Sequence, residues 1–245
     1  MDRPVALVVA LAAERRALQR NLVASRVRHV GMLRLVTGTL ADQVVVLIQA
    51  GIGATRARSA LLAAAQEFPF RAAWSLGFAG GLADDLDPGD LICPAVVLLD
   101  DGQQGQTFVA AASHNGICAA LHGANPGSLL TIQAPLRTEQ AKRAARERTG
   151  AVAVDMEAAG VAAAARDLGI PWLAIKAVVD DAWEPLPDYL ADCTTAAGDL
   201  RWRGLFWSCL FGERRRVFRR LRRKAGQATL SLKRSLGPAL RAGSP

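Results

Sequence analysis

Short, almost wholly apolar runs alternate with alanine-rich stretches of helical character along most of this 245-residue chain. That alternation sets the fold class, because strands interleaved with helices build a mostly parallel or mixed sheet with helices on its faces. Val5–Leu11 reads as a buried strand and Ala13–Ala24 as a helix. Leu33–Thr37 and Val44–Gln49 read as a hairpin-like pair, and Ala54–Glu67 as a helix ending before Pro69. Ala72–Leu76 is a strand running into a glycine loop, Gly77–Gly81, and Leu91–Leu99 is a strand after the turn Asp87-Pro88-Gly89-Asp90. Residues 100–127 are polar and glycine-rich and carry no assignment. Thr138–Thr149 is a helix and Val152–Val154 a short strand. Met156–Leu168 is a helix stopped by Gly169 and Pro171, and Trp172–Val179 is a buried strand.

Charge divides the chain in two. Residues 201–245 hold thirteen Lys/Arg and one acid, a net of +12, whereas residues 1–200 carry a net of −4. We therefore expect a catalytic-type domain over 1–200 and a basic amphipathic extension over 201–245. In that extension Trp207, Leu210, Phe211, Phe218 and Leu221 fall near helical spacing, with Arg214–Arg216, Arg219, Arg220, Arg222, Arg223 and Lys224 between them. A helix of this kind over 205–224 suits an anionic membrane surface, where each Lys/Arg adds about 1 kcal/mol of attraction. A solvated helix packed on the domain is the plainer reading, and nucleic acid is the less expected partner.

Cys93, Cys118, Cys193 and Cys209 lie far apart without a Cys-x-x-Cys pair, as reduced cytoplasmic thiols would. His29, His114 and His122 lack metal-ligand spacing, so no metal is expected. The Val5–Leu11 run is followed at once by Glu14-Arg15-Arg16, as a first strand entering a helix would be rather than a secretory signal. No apolar run approaches the roughly 20 residues of a membrane span.

Two glycine loops and three acids carry the chemistry. Gly51-Ile52-Gly53 sits between a strand and a helix, but Arg56 stands where a dinucleotide fingerprint needs its third glycine. The loop can still present backbone N–H groups to an anion or a hydroxyl, although a tight turn needs the same glycines. Gly77-Phe78-Ala79-Gly80-Gly81 permits close backbone approach to a flat ligand. Asp155 and Glu157 open one apolar helix and Asp180 closes one apolar strand. Glu157 alone reads as a dipole-favoured acid of a first helical turn and Asp180 alone as a cap; together, at the strand ends where α/β sheets bind ligands, they point to a site for a polar, hydroxyl-bearing molecule.

Val154-Asp155-Met156-Glu157-Ala158 followed by Ala177-Val178-Val179-Asp180, with Gly51-Ile52-Gly53, Gly77–Leu82 and Pro88-Gly89-Asp90-Leu91 in order, resembles the superfamily of purine nucleoside phosphorylases and 5′-methylthioadenosine/S-adenosylhomocysteine nucleosidases. The resemblance spans about residues 4–184. It implies a three-layer α/β/α fold with a mixed sheet, and cleavage of a ribosyl–base N-glycosidic bond. It assigns Glu157 to the ribose hydroxyls, Met156 beneath the sugar, and Asp180 as the acid that protonates the purine. Asp155, Phe78, Ala79, Gly80, Gly51 and Gly53 fall among the substrate contacts. Aligned on the acidic cluster after the first strand, Arg15 takes the place of the water-activating glutamate and Glu14 the place before it. Arg15 is therefore expected to bind inorganic phosphate as co-substrate, with Glu14 the weaker candidate for activating water. Phe78 and Val179 replace small hydroxyl residues of the family.

Ala182-Trp183-Glu184-Pro185-Leu186-Pro187, with the Arg-rich C-terminus, is similar to hopanoid-associated nucleoside phosphorylases. That likeness implies adenine release from adenosylhopane, by phosphorolysis or hydrolysis, in a cytoplasmic enzyme peripheral to the inner face of the membrane. No cofactor is expected, and a homodimer is. The alternatives are a methylthioadenosine/adenosylhomocysteine nucleosidase and a non-catalytic relative that binds membrane or nucleic acid.

Overall fold

In the computed structural model, residues 3–31, 33–100, 105–110, 114–184 and 213–243 are described. Among the described residues, eleven strands form one mixed sheet. β1 (Val5–Val9) lies between β4 (Gln43–Gln49) and β5 (Ala72–Gly81), parallel to both. β2 (Val23–Val30) and β3 (Leu33–Leu40) extend the β4 side as antiparallel ribbons. Beyond β5 the order continues through β10 (Ala153–Asp155), β9 (Leu129–Ile132), β7 (Val96–Asp100) and β8 (Gln106–Val109). β11 (Trp172–Asp180) runs parallel to β5 and also pairs with the short β6 (Leu91–Ile92).

Alternation along β1 shows how the layers arise. Ala6 and Val8 pack under α2 (Ala54–Ala65) and α5 (Ala158–Asp167), in a core with Ala57, Leu61, Ala159 and Ala162. Val5, Leu7 and Val9 point the other way, toward α1 (Ala12–Gln19), α3 (His114–Ala120) and α6 (Glu213–Ala242). The period of two sends successive side chains to opposite faces, so a wholly apolar strand demands helices on both. α4 (Glu139–Thr149) starts on a Thr138 cap and covers β9 and β10 through Ala145. Alanine and glycine in α5 let it approach α2 closely; a Cβ on Gly160 would lie 2.0 Å from the Ala54 carbonyl oxygen.

Several elements depart from the sequence expectations. The first helix stops at Gln19, and an unforeseen edge strand, β2, follows. Its residues Ser25, Arg26, Arg28 and His29 are exposed, so it lacks the apolar pattern that marks a strand. Leu91–Leu99 divides into β6 and β7, with Pro94, which has no N–H to donate, between them. Residues 100–127 contribute β8 and α3. The second half of α6 buries Ala228, Leu232, Leu236, Ala239 and Leu240 against the sheet, so its apolar side is consumed by the protein's own core. The 200/201 division and Trp207, Leu210 and Phe211 lie outside the described residues. No described helix is long and apolar enough to cross a membrane.

The most consequential departure is Gly77–Gly81, which continues β5 as strand instead of leaving it as a loop. β1 pairs with β5 only through Ser75, and β10 joins β5 at Gly80 and Gly81 from the opposite direction. Leu76–Ala79 between them is left without a strand partner on that edge, and the split opens a cavity there.

Candidate active site

Glu14 sits in the first turn of α1 with its carboxylate folded back over the helix start. Oε2 accepts from the N–H groups of Ala10 (3.1 Å) and Leu11 (2.8 Å), and Oε1 from Phe78 N–H at 3.1 Å. These are donors that a helix N-terminus and an unpaired strand edge leave over. Gly77 makes the approach feasible: with φ at +146°, a Cβ there would stand 2.8 Å from Glu14 Oε1. Burial raises the Glu14 pKa, opposed by the Leu11 N–H, by Lys176 and by the other amides.

Glu157 occupies the position before α5, outside helical geometry. Its Oε1 accepts from the N–H of Gly53, which opens α2 with φ at +108°. One carboxylate therefore sits at two helix starts, whose dipoles favour negative charge. Burial nevertheless pushes its pKa up to about 7, with Asp155 and Glu14 adding to the rise and Lys176 and the Gly53 amide resisting it.

Asp155 has a different station. Its Oδ1 accepts from Thr131 Oγ1 (2.6 Å) and its Oδ2 from Ala158 N–H (2.9 Å), while Lys176 Nζ lies 2.9 Å from Oδ2. Both side chains of this ion pair are essentially inaccessible. Burial works against the Lys176 ammonium, yet Asp155, Glu157 and Glu14 together hold its pKa above the ordinary value.

Asp180 ends β11 at a register shift. Val178 faces Ala79 and Asp180 faces Gly80, so Val179 is the extra residue of a bulge. Bulges re-aim side chains beside active sites. Glycine at 80 is what admits the carboxylate, since a Cβ there would be 3.3 Å from Asp180 Oδ1. Burial raises the Asp180 pKa against the pull of Lys142, the ion-pair partner of its Oδ2, and the neighbouring Glu184 and Asp181 raise it further.

Glu14, Lys142, Asp155, Glu157 and Asp180 line one cavity of about 190 Å³ at the split along β5, with Lys176 behind its lining. That is below the roughly 300–1,000 Å³ typical of drug-sized ligand sites, so its size suits a compact ligand. Glu14, Phe78, Ala79, Gly80, Asp155, Met156, Glu157 and Asp180 from the sequence reading all line it. Arg15, Gly51 and Gly53 do not. Arg15 is buried on the far side of α1, with Nε donating to Gln49 Oε1 at 2.9 Å and Nη1 to Gln19 Oε1 at 2.5 Å. The Gly51 N–H is used by the Ala10 carbonyl, as that of Gly53 is by Glu157.

Sequence reasoning missed Lys142 and Lys176. Lys176 had a signal: a lone charge inside the apolar run Trp172–Val179 must be paired if the strand is buried. Lys142 had almost none, being one of several cations on α4. Four carboxyls thus face two ammoniums, and the excess of acid suits a ligand that becomes positive.

Elsewhere, Cys93, His114 and Cys118 bring their ligand atoms within 4.8 Å of one another, a grouping that spacing in the sequence did not suggest. His114 Nε2 lies 2.8 Å from the Cys93 carbonyl oxygen, and the Cys118 thiol donates to the same oxygen at 3.8 Å. Burial, with Cys118 beside it, drives the Cys93 thiol pKa up. His114 and Cys118 thus converge on one carbonyl oxygen.

A mixed sheet covered on both faces, with buried carboxyls converging where strand pairing is interrupted, defines an α/β enzyme acting on a small polar ligand. The chain belongs to the phosphorylase superfamily, whose family model matches residues 4–200. Solved structures agree on the fold. The 5′-methylthioadenosine/S-adenosylhomocysteine nucleosidase of Neisseria meningitidis, bound to methylthio-immucillin-A, superimposes with a TM-score of 0.76 at 20% identity, over 98% of this chain and 99% of that one. The nucleosidase of Colwellia psychrerythraea, bound to adenine, gives 0.77 at 19% identity, over 99% and 96%. Futalosine hydrolase of Helicobacter pylori gives 0.76 at 14% identity, over 98% and 97%.

Proposed function

We propose that this protein hydrolyses the N-glycosidic bond of an adenine nucleoside modified at its 5′ carbon. The observation that carries the reading is the convergence of Glu14, Glu157 and Asp180 on one small cavity. In this reading Glu157 accepts the ribose hydroxyls and Asp180 delivers a proton to the departing purine. Glu14, whose pKa burial has raised, takes a proton from water as it attacks the anomeric carbon. The sugar passes through an oxocarbenium-like state, and the surplus of carboxyls lowers its energy by acting where positive charge develops. Phe78, Ile132, Leu136, Met156 and Val179 supply apolar walls for the base and sugar.

Water, not phosphate, is the nucleophile this geometry favours. Arg15 does not line the cavity, and Lys142, which does, is already paired with Asp180. Phosphate entering there would be set against Glu14.

For the 5′ substituent we propose a lipid tail, as in adenosylhopane. Support comes from α6, whose exposed Arg219, Arg220, Arg222 and Arg223 are held near the site: Lys224 pairs with Asp181 (3.0 Å) and with Glu184, just beyond the proposed acid. Methylthioadenosine or S-adenosylhomocysteine as the substrate is the second reading, favoured by the small cavity volume.

Adenine release from methylthioadenosine, S-adenosylhomocysteine, adenosine and a long-chain 5′-alkyl adenosine, with and without phosphate, tests all of this. Release independent of phosphate and fastest with the alkyl substrate is expected. Strict phosphate dependence overturns the water mechanism, and preference for methylthioadenosine overturns the lipid substrate.

A further inference from the structure

Lys142 is fully buried on α4 and its ammonium is saturated. Its three N–H groups have three acceptors: Asp180 Oδ2, the Asp181 carbonyl at 2.6 Å and the Glu184 carbonyl at 3.2 Å. It borders the cavity with no proton left to give a ligand. Among the described residues no donor is bonded to Asp180 Oδ1, the oxygen beside Gly80. One oxygen of the carboxyl is anchored and the other is available.

We propose that Lys142 is a positioning residue for Asp180, fixing Oδ2 so that Oδ1 meets the base and stabilising the carboxylate that forms when the proton leaves. This rests on Asp180 being the general acid. In the step, the ribose–base C–N bond breaks with its electron pair going to the base. The proton on Oδ1 passes to a base nitrogen, Asp180 is left as carboxylate against an ammonium that stays protonated, and solvent later restores the proton.

The surrounding charges fit that task. Burial favours protonated Asp180, Lys142 opposes it, and Glu184 and Asp181 favour it again. Those two acids are balanced from α6, by Lys224 on both and by Arg220 Nε at 3.2 Å from Glu184 Oε1. Burial and the neighbouring acids favour the protonated form of Asp180, while the cation makes the charged product of transfer accessible. An adjacent cation typically strengthens a carboxylic acid by one to three pKa units, so a rate effect of roughly 10- to 100-fold is expected where proton transfer limits bond cleavage.

The test compares two leaving groups. Adenine needs a proton to depart, whereas the 4-nitrophenolate of 4-nitrophenyl β-D-riboside leaves as a stable anion. In Lys142→Met, kcat for adenine release should fall about 10- to 100-fold with KM within a few fold, and its alkaline limb should move to higher pH. Cleavage of the nitrophenyl riboside should stay within about 3-fold, and Lys142→Arg should recover much of the adenine rate. Equal losses on both substrates overturn the proposal, because a merely structural lysine affects both. Since an unpaired Asp180 could prevent folding of the single variant, Lys142→Met is repeated in the Asp180→Asn background, where the charge is gone. There it should add less than about 3-fold, and a full further loss sinks the idea. If the wild type splits the nitrophenyl riboside but releases no adenine from any nucleoside, the general-acid reading fails first and this proposal with it.

Discussion

Glu14, Glu157 and Asp180 reach the same cavity by different means: a carboxylate folded over a helix start, one shared between two helix starts, and one re-aimed by a bulge. If their assigned roles hold, Asp180→Asn and Glu14→Gln should each lower kcat for adenine release by about 10²–10⁴-fold, with ligand binding by calorimetry little changed. Unaltered turnover in either variant removes that residue from the mechanism. Glu157 also makes a statement about stability. Its folded pKa, about 7, lies above the ordinary 4.5, so the folded state holds the proton more tightly. Its contribution is present below about pH 4.5 and is lost as pH rises toward 7, because the buried charge must then be borne. Glu157→Gln keeps an acceptor for the Gly53 amide and should melt higher than wild type at pH 8 but not at pH 4.5, while losing activity. A melting temperature lowered equally at both values contradicts this. At this scale the sequence showed acids at the ends of apolar segments but favoured Arg15 over Glu14, whereas Glu14 lines the cavity and Arg15 does not. Consecutive helical residues point about 100° apart, so the choice depends on the phase of α1, which packs on β4 and α6.

Among the elements, α2 and α5 are held together through Gly160. The Ala54 carbonyl would sit 2.0 Å from a Cβ there, and backbone cannot yield as a flexible side chain does. Gly160→Ala should therefore destabilise by about 1–3 kcal/mol or more in denaturant unfolding, and because Glu157 and Gly53 meet at these same helix starts, activity should fall with it. A stability change below about 0.5 kcal/mol would show that the helices are not in close contact. β11, α4 and β1 were legible because burial on both faces or a capped amphipathic pattern leaves a period in the sequence. β2 was not, since an exposed edge strand selects Ser, Arg and His. Gly77–Gly81 resembled a loop because glycine is rare in strands. Here it is required by the close approach of Glu14 and Asp180, a relation between distant segments.

For the whole molecule, the C-terminal helix is part of the core over its second half, with Leu236 fully buried. Leu236→Ala should cost about 2–5 kcal/mol, where an appended surface helix would show a few tenths. The first half carries the membrane proposal. Changing Arg219, Arg220, Arg222 and Arg223 together to Gln should reduce flotation with vesicles containing phosphatidylglycerol and leave the fold intact by circular dichroism. Equal flotation of the two proteins rules out an electrostatic attachment through this turn. The sequence by itself determined the α/β class, the order of most strands and helices, the placing of acids at the ends of apolar segments and the split between acidic body and basic tail. Each of these is encoded in local period, composition or neighbouring residues. Only the tertiary structure decided that β1 and β10 leave a gap along β5, that Glu14 and not Arg15 looks into it, and that Lys142 and Lys176 pair with its acids. It also decided that α6 closes the core. Those outcomes depend on register, helix phase and contacts between segments far apart in the chain, which burial selects and no local pattern records.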